Sequence, residues 1–151
     1  MRILIIHPFG IGDVLFSLPL VNALREEFPK GELGFLCNRR SWKEINQVFV
    51  FEKDEFRALW KQSTKQGFSH LKELITNIRR EKFDLLIDLS LGWHMAFGSL
   101  LAGIPKRIGF DFRGRGRFLT DRIPLSGFHE KSVAEYYLDL LRPLGISSPA
   151  R

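Results

Sequence analysis

The sequence has 151 residues, 44% hydrophobic and 26% charged, with 23 Lys and Arg against 17 Asp and Glu for a formal charge of +6. That length supports one hydrophobic core and is short for two full domains. One cysteine excludes an internal disulfide, no apolar run reaches the ~18 residues of a membrane span, and the first apolar run stops at His7 and Pro8 before a signal-peptide core forms; the expectation is a cytoplasmic chain.

Ile3, Leu4, Ile5 and Ile6 form a continuous apolar run that suits a central parallel strand covered on both faces. Gly10 and Gly12 give φ freedom and close backbone approach at its carboxyl end, and the turn delivers Asp13 to the start of a helix. Val14, Leu15, Leu18, Val21 and Leu24 recur at spacings of three and four, which predicts a helix from near Gly12, kinked or divided at Pro19. A second strand is expected over 32–38, a short serine-capped helix over 41–47, and a third strand over 48–51. From 54 to 82 the apolar spacing predicts two helices broken around Gly67. The run FDLLIDL at 83–89 is a second buried strand, 92–102 a helix stopped by Gly103 and Pro105, and 107–110 a fifth, short strand. The last helix is expected over 131–144, capped at His129 and Glu130, stopped at Gly145 and followed by a linker at 146–151.

Strands separated by helices predict an α/β domain over 1–145, an open parallel sheet with helices on both faces. Ligands of such sheets bind outside the carboxyl ends of the strands, which gathers the 7–13 loop, the 90–94 loop and the arginine loop of 113–117 on one rim. The glycine turn is not a dinucleotide fingerprint, because Leu15 stands where the third glycine is required and the second strand ends in Asn38 and two arginines. A P-loop is excluded, since no Gly-Lys-Ser or Gly-Lys-Thr follows the turn.

The window 105–122 holds Lys106, Arg107, Arg113, Arg115, Arg117 and Arg122 against Asp111 and Asp121. Alternation of arginine and glycine reads as an exposed loop, either a solvated surface or an anion site whose guanidinium forks match phosphate. Asp13 in a first helical turn is either a cap favoured by the helix dipole or a general base. His7 beside proline is more often structural than a ligand contact, His94 faces the expected cleft, and Trp60 and Trp93 pack in a core or against a sugar ring. Cys37 lies in an apolar run and reads as core. The four histidines and one cysteine show no paired metal-ligand spacing, so no metal site is expected.

Three blocks in this order, IGDVLFSLPLVNALREEFP, FDLLIDLS followed by AGIPKRIGFD, and HEKSVAEYYLDLLRPLGI, resemble the N-terminal half of the ADP-heptose:lipopolysaccharide heptosyltransferases, glycosyltransferase family nine. The resemblance covers essentially the whole chain. It implies a Rossmann-like acceptor domain of a two-domain GT-B enzyme whose donor-binding domain follows. Members transfer heptose from ADP-heptose to the lipopolysaccharide inner core with inversion and no metal in a direct role. The resemblance assigns Asp13 as general base and suggests Gly10, Gly12, His7, Lys61, His94, Arg113, Arg115 and Arg117, with Lys106 as a weaker candidate, for the phosphorylated acceptor. It implies no cofactor beyond the nucleotide-sugar donor, no nucleic-acid partner, contact with the cytoplasmic face of the inner membrane, and pairing of two copies through an interdomain surface. The isolated 151-residue chain is then expected to be inactive. On residues alone, two other readings stay open: a non-catalytic docking domain, and a basic nucleic-acid-binding module with salt-dependent affinity.

Overall fold

A computed structural model describes residues 1–7, 15–37, 47–50 and 53–147. Among them, six strands form one sheet: β1 (Arg2–His7), β2 (Glu32–Cys37), β3 (Gln47–Val50), β4 (Leu85–Asp88), β5 (Lys106–Phe112) and β6 (Asp121–Leu125). The helices are α1 (Leu18–Glu27), α2 (Lys53–Gln62), α3 (Thr64–Arg80), α4 (Trp93–Leu101) and α5 (Val133–Asp139), with a 3-10 turn at Arg142–Leu144. Every strand pairing is parallel and the order is β3-β2-β1-β4-β5-β6.

The apolar run of β1 explains its central place. Ile3 lies opposite Leu33 and Leu85, Ile5 opposite Phe35 and Ile87, and Ile3, Leu4 and Ile5 are fully buried. Each such side chain contributes about 1.5–3 kcal/mol when removed from water. Odd positions Ile3 and Ile5 join Leu20 and Leu24 of α1 and Tyr137 and Leu138 of α5 in one core. Even positions Leu4 and Ile6 join Ile78 of α3, Phe83, Ala102 and Ile104 in the other. The sheet grows from β1 in both directions, and right-handed crossovers therefore put α1 on one face and α4 on the opposite one.

The expected division beside Pro19 is present: Leu15 is helical, Phe16 and Ser17 form a turn, and α1 starts at Leu18, so Pro19 sits in its first turn, where the missing N–H is no loss. Other local expectations are corrected. The break between α2 and α3 is at Ser63, whose hydroxyl accepts the Gln66 N–H at 3.4 Å. Gly67 instead lies inside α3 against Trp60, where a Cβ would come within 2.3 Å of the indole. The last helix is shorter than expected, because Pro143 interrupts its hydrogen bonding and leaves a 3-10 turn closed by Gly145 at φ +74°. Its cap is not His129 with Glu130 but Ser132 and Glu135, each side chain bonded to the other's backbone N–H. The short helix expected at 41–47 lies outside the described residues except for Gln47, which opens β3, and most of the expected 146–151 linker lies outside them too.

The sixth strand was not expected at all. Residues 113–120 carry the chain from the carboxyl end of β5 back to its amino end without a helix, and Thr120 N–H donates to the Arg107 carbonyl at 2.9 Å. Gly109 permits this close return, since a Cβ there would stand 3.0 Å from the Leu119 side chain. No helix among the described residues is long and apolar enough to cross a membrane.

Candidate functional site

The strand order reverses at β1 and β4, which are hydrogen-bonded neighbours whose outgoing chains leave toward opposite faces. A crevice outside the carboxyl ends of such a pair is where doubly wound sheets hold ligands. Here the pair ends at His7 and Asp88. From β1 the chain enters residues 8–14, which lie outside the described residues and include Gly10, Gly12 and Asp13; from β4 it passes through Leu89 to Gly92 into α4.

His7, expected as an acceptor contact, is fully buried, with its ring edge toward Tyr137 at 6.1 Å between centroids. Alternation along β1 points it to the α1 and α5 core, so it supports the rim from beneath. His94 is exposed in the first turn of α4 and stacks on Trp93 at 4.0 Å. Trp93 is 37% and Trp60 39% exposed, so neither is a core residue. Cys37 is buried at the end of β2, as expected for core.

The arginine loop does not sit on one rim. Arg113, at φ +52°, follows directly on the carboxyl end of β5, with its guanidinium 5.0 Å from the Phe112 ring, and Arg115 N–H donates to the Phe112 carbonyl at 3.1 Å. Gly116 N–H donates to Asp111 Oδ1 at 3.0 Å, and from there the chain descends. Arg117 lies over the Phe118 ring at 5.7 Å, and Phe118 carbonyl accepts Arg107 Nε at 2.7 Å near the amino end of β5. Arg113 and Arg115 therefore remain with the carboxyl rim, while Arg117 belongs to the flank and Lys106 to the opposite end of the strand. All three arginines are exposed. Lys61 is exposed in the last turn of α2, beside the corner from which α3 runs about 25 Å toward the amino ends of the strands.

Asp88 was not singled out from the sequence. Its carboxyl is buried at the carboxyl end of β4, Oδ1 accepts the Ser90 N–H at 2.9 Å, and the Ser90 hydroxyl bonds to the same group. Burial raises its pKa from 3.8 to about 7 against the opposing effect of the Ser90 bonds. The bond closes a tight turn between the end of β4 and the start of α4. Among the described residues no group of three His, Cys, Asp or Glu side chains is placed to hold a metal ion.

No protein-family profile matches the sequence. Lipopolysaccharide heptosyltransferase 3 of Escherichia coli is 25% identical over 147 residues, covering 91% of this chain and 41% of that protein. Among solved structures, E. coli heptosyltransferase WaaC with ADP-2-deoxy-2-fluoro heptose superposes with a TM-score of 0.82 at 20% identity, over 100% of this chain and 50% of that one. The glycosyl transferase family 9 protein of Veillonella parvula gives 0.73 at 19% identity, over 99% of this chain and 42% of that one. The chain thus spans about half the length of the proteins it matches.

Proposed function

We propose that this chain, which belongs to the heptosyltransferases of glycosyltransferase family 9 as a match to their N-terminal portion, is the acceptor-binding half of an inverting glycosyltransferase. The reaction is transfer of heptose from ADP-heptose to the lipopolysaccharide inner core. The observation that carries the reading is end-to-end correspondence with half of a heptosyltransferase, in a fold whose strand order reverses between β1 and β4.

The chemistry needed from this half is activation of an acceptor hydroxyl. Asp13, in the segment between β1 and α1, takes the hydroxyl proton as the oxygen forms its bond to the anomeric carbon and ADP leaves with the bonding pair of the old glycosidic link. Arg113 and Arg115 on the neighbouring rim hold acceptor phosphate or carboxylate groups through charge-assisted hydrogen bonds. His7, buried at the end of β1, packs toward Tyr137.

In an enzyme that joins this chain to a donor-binding domain, Asp13→Asn is expected to lower turnover about 10²–10⁴-fold with the melting temperature unchanged. Near-normal turnover contradicts the base assignment. Arg113→Glu with Arg115→Glu is expected to raise the acceptor KM steeply while leaving the ADP-heptose KM alone; an unchanged acceptor KM removes the arginines from the site.

A further inference from the structure

Helices α3 and α5 start on serine caps, Ser63 and Ser132, but α4 does not. Its N-cap is Gly92, with no side-chain bond and no acid in the first turn, although α4 follows the strand end at which the sheet order reverses. The chain between β4 and α4 is held at two points instead. Leu89, fully buried, donates its N–H to the Ile6 carbonyl of β1 at 3.0 Å. One residue on, the Ser90 N–H donates to Asp88 Oδ1 at 2.9 Å, and the Ser90 hydroxyl bonds to the same carboxyl.

Asp88 is an unfavourable residue for stability at this place. It is 2% exposed, opposite Ile6 of β1 and Gly109 of β5, and alternation along β4 turns it to the face that buries Leu4, Leu86, Ala102 and Ile104. Among the described residues its partners are the two groups of Ser90, and burial raises its pKa to about 7. An apolar residue would avoid that desolvation. An apolar residue cannot accept the Ser90 N–H, so what the carboxyl secures is the direction in which the chain leaves β4. Residues 90–94 follow that direction: Ser90 is buried, and exposed Trp93 and His94 stack at 4.0 Å on the first turn of α4.

We propose that Asp88 is a positioning residue for the acceptor. It touches no ligand itself; through the Ser90 N–H it holds residues 90–94 in the arrangement that meets the acceptor outside the β1 and β4 carboxyl ends. The inference rests on the acceptor-binding reading of this chain and adds to it a residue that the sequence hides within an apolar strand.

The test combines amide hydrogen exchange with NMR titration of the chain by a phosphorylated inner-core oligosaccharide, for the parent, Asp88→Ala and Asp88→Asn. Asp88→Ala is expected to weaken binding about tenfold, the factor that one lost hydrogen bond gives. Its amides from Ser90 to Met95 are expected to exchange faster while those of β1 and β4 keep their protection. Asp88→Asn, which keeps an acceptor for the Ser90 N–H, is expected to restore most of the lost affinity. Asp88→Val, which fills more of the space, repeats the test. Equal binding by the parent and Asp88→Ala overturns the proposal, as does Asp88→Asn binding no better than Asp88→Ala. Faster exchange spread evenly through the sheet, or loss of a cooperative melt in both the alanine and valine variants, assigns the carboxyl to folding and overturns it as well. A parent chain that binds no oligosaccharide contradicts the acceptor-binding reading instead, and the exchange pattern then decides separately whether Asp88 holds residues 90–94.

Discussion

Asp88 and His7 end neighbouring strands but point to opposite faces, and the two illustrate how burial divides residues that look alike in sequence. His7 was legible as a polar residue at a strand end, and only the structure shows it buried against Tyr137. Asp88 hid inside FDLLIDL, where a carboxylate between Ile87 and Leu89 gives no sign that it closes the turn at the switch point. Because burial raises the folded-state pKa of Asp88 from 3.8 to about 7, the folded chain binds a proton more tightly than the unfolded chain across that window. This group therefore lowers stability as pH rises through the window, and its cost is complete above about 7. Asp88→Asn keeps an acceptor for Ser90 N–H and never ionises. The variant is expected to melt higher than the parent at alkaline pH, the difference shrinking as pH falls; a pH-independent difference contradicts the assignment. Gly34 in β2 is a steric case: a Cβ there would lie 2.8 Å from the Phe83 ring. Gly34→Ala is expected to cost about 1–3 kcal/mol by denaturant unfolding, as overpacking does.

Element interiors were more legible than element ends. The 3.6-residue spacing located α1, α3 and α5, because each must bury one stripe on the sheet. Their termini depend on single backbone groups that periodicity does not report. Pro19 marks the division in the helical stretch but not which side of it the break falls, which Phe16 and Ser17 supply, and Pro143 shortens a helix whose apolar spacing continues past it. β6 escaped notice because an edge strand tolerates charge and proline: Asp121, Arg122 and Pro124 stand beside the buried Leu125, and Pro124 sits on the last strand of the row. The Ser132–Glu135 capping box fixes the start of α5, whose Tyr136, Tyr137 and Leu138 complete one core. Ser132→Ala is expected to cost about 1 kcal/mol, measured as a lower denaturation midpoint with an unchanged slope.

At the scale of the whole molecule, the alternation of apolar runs and amphipathic helices made the parallel sheet and its carboxyl rim legible, because a strand buried on both faces and a crossover helix admit few other arrangements. The path of the arginine loop was not legible: composition marks it as exposed, but the descent along β5 depends on Gly109 and on the Arg107–Phe118 bond. The result is a rim occupied by Arg113 and Arg115 near the β1–β4 crevice and a separate flank formed by α4, Phe118 and Arg117. The most direct measurement of the central claim is an amide-resolved NMR titration of this chain with a phosphorylated inner-core oligosaccharide, and separately with ADP. Saturable shifts from the oligosaccharide confined to residues 7–18, 89–94 and 113–115, with none from ADP, are the predicted result. No saturable oligosaccharide binding, or a response to ADP at that rim instead, contradicts an acceptor-binding half.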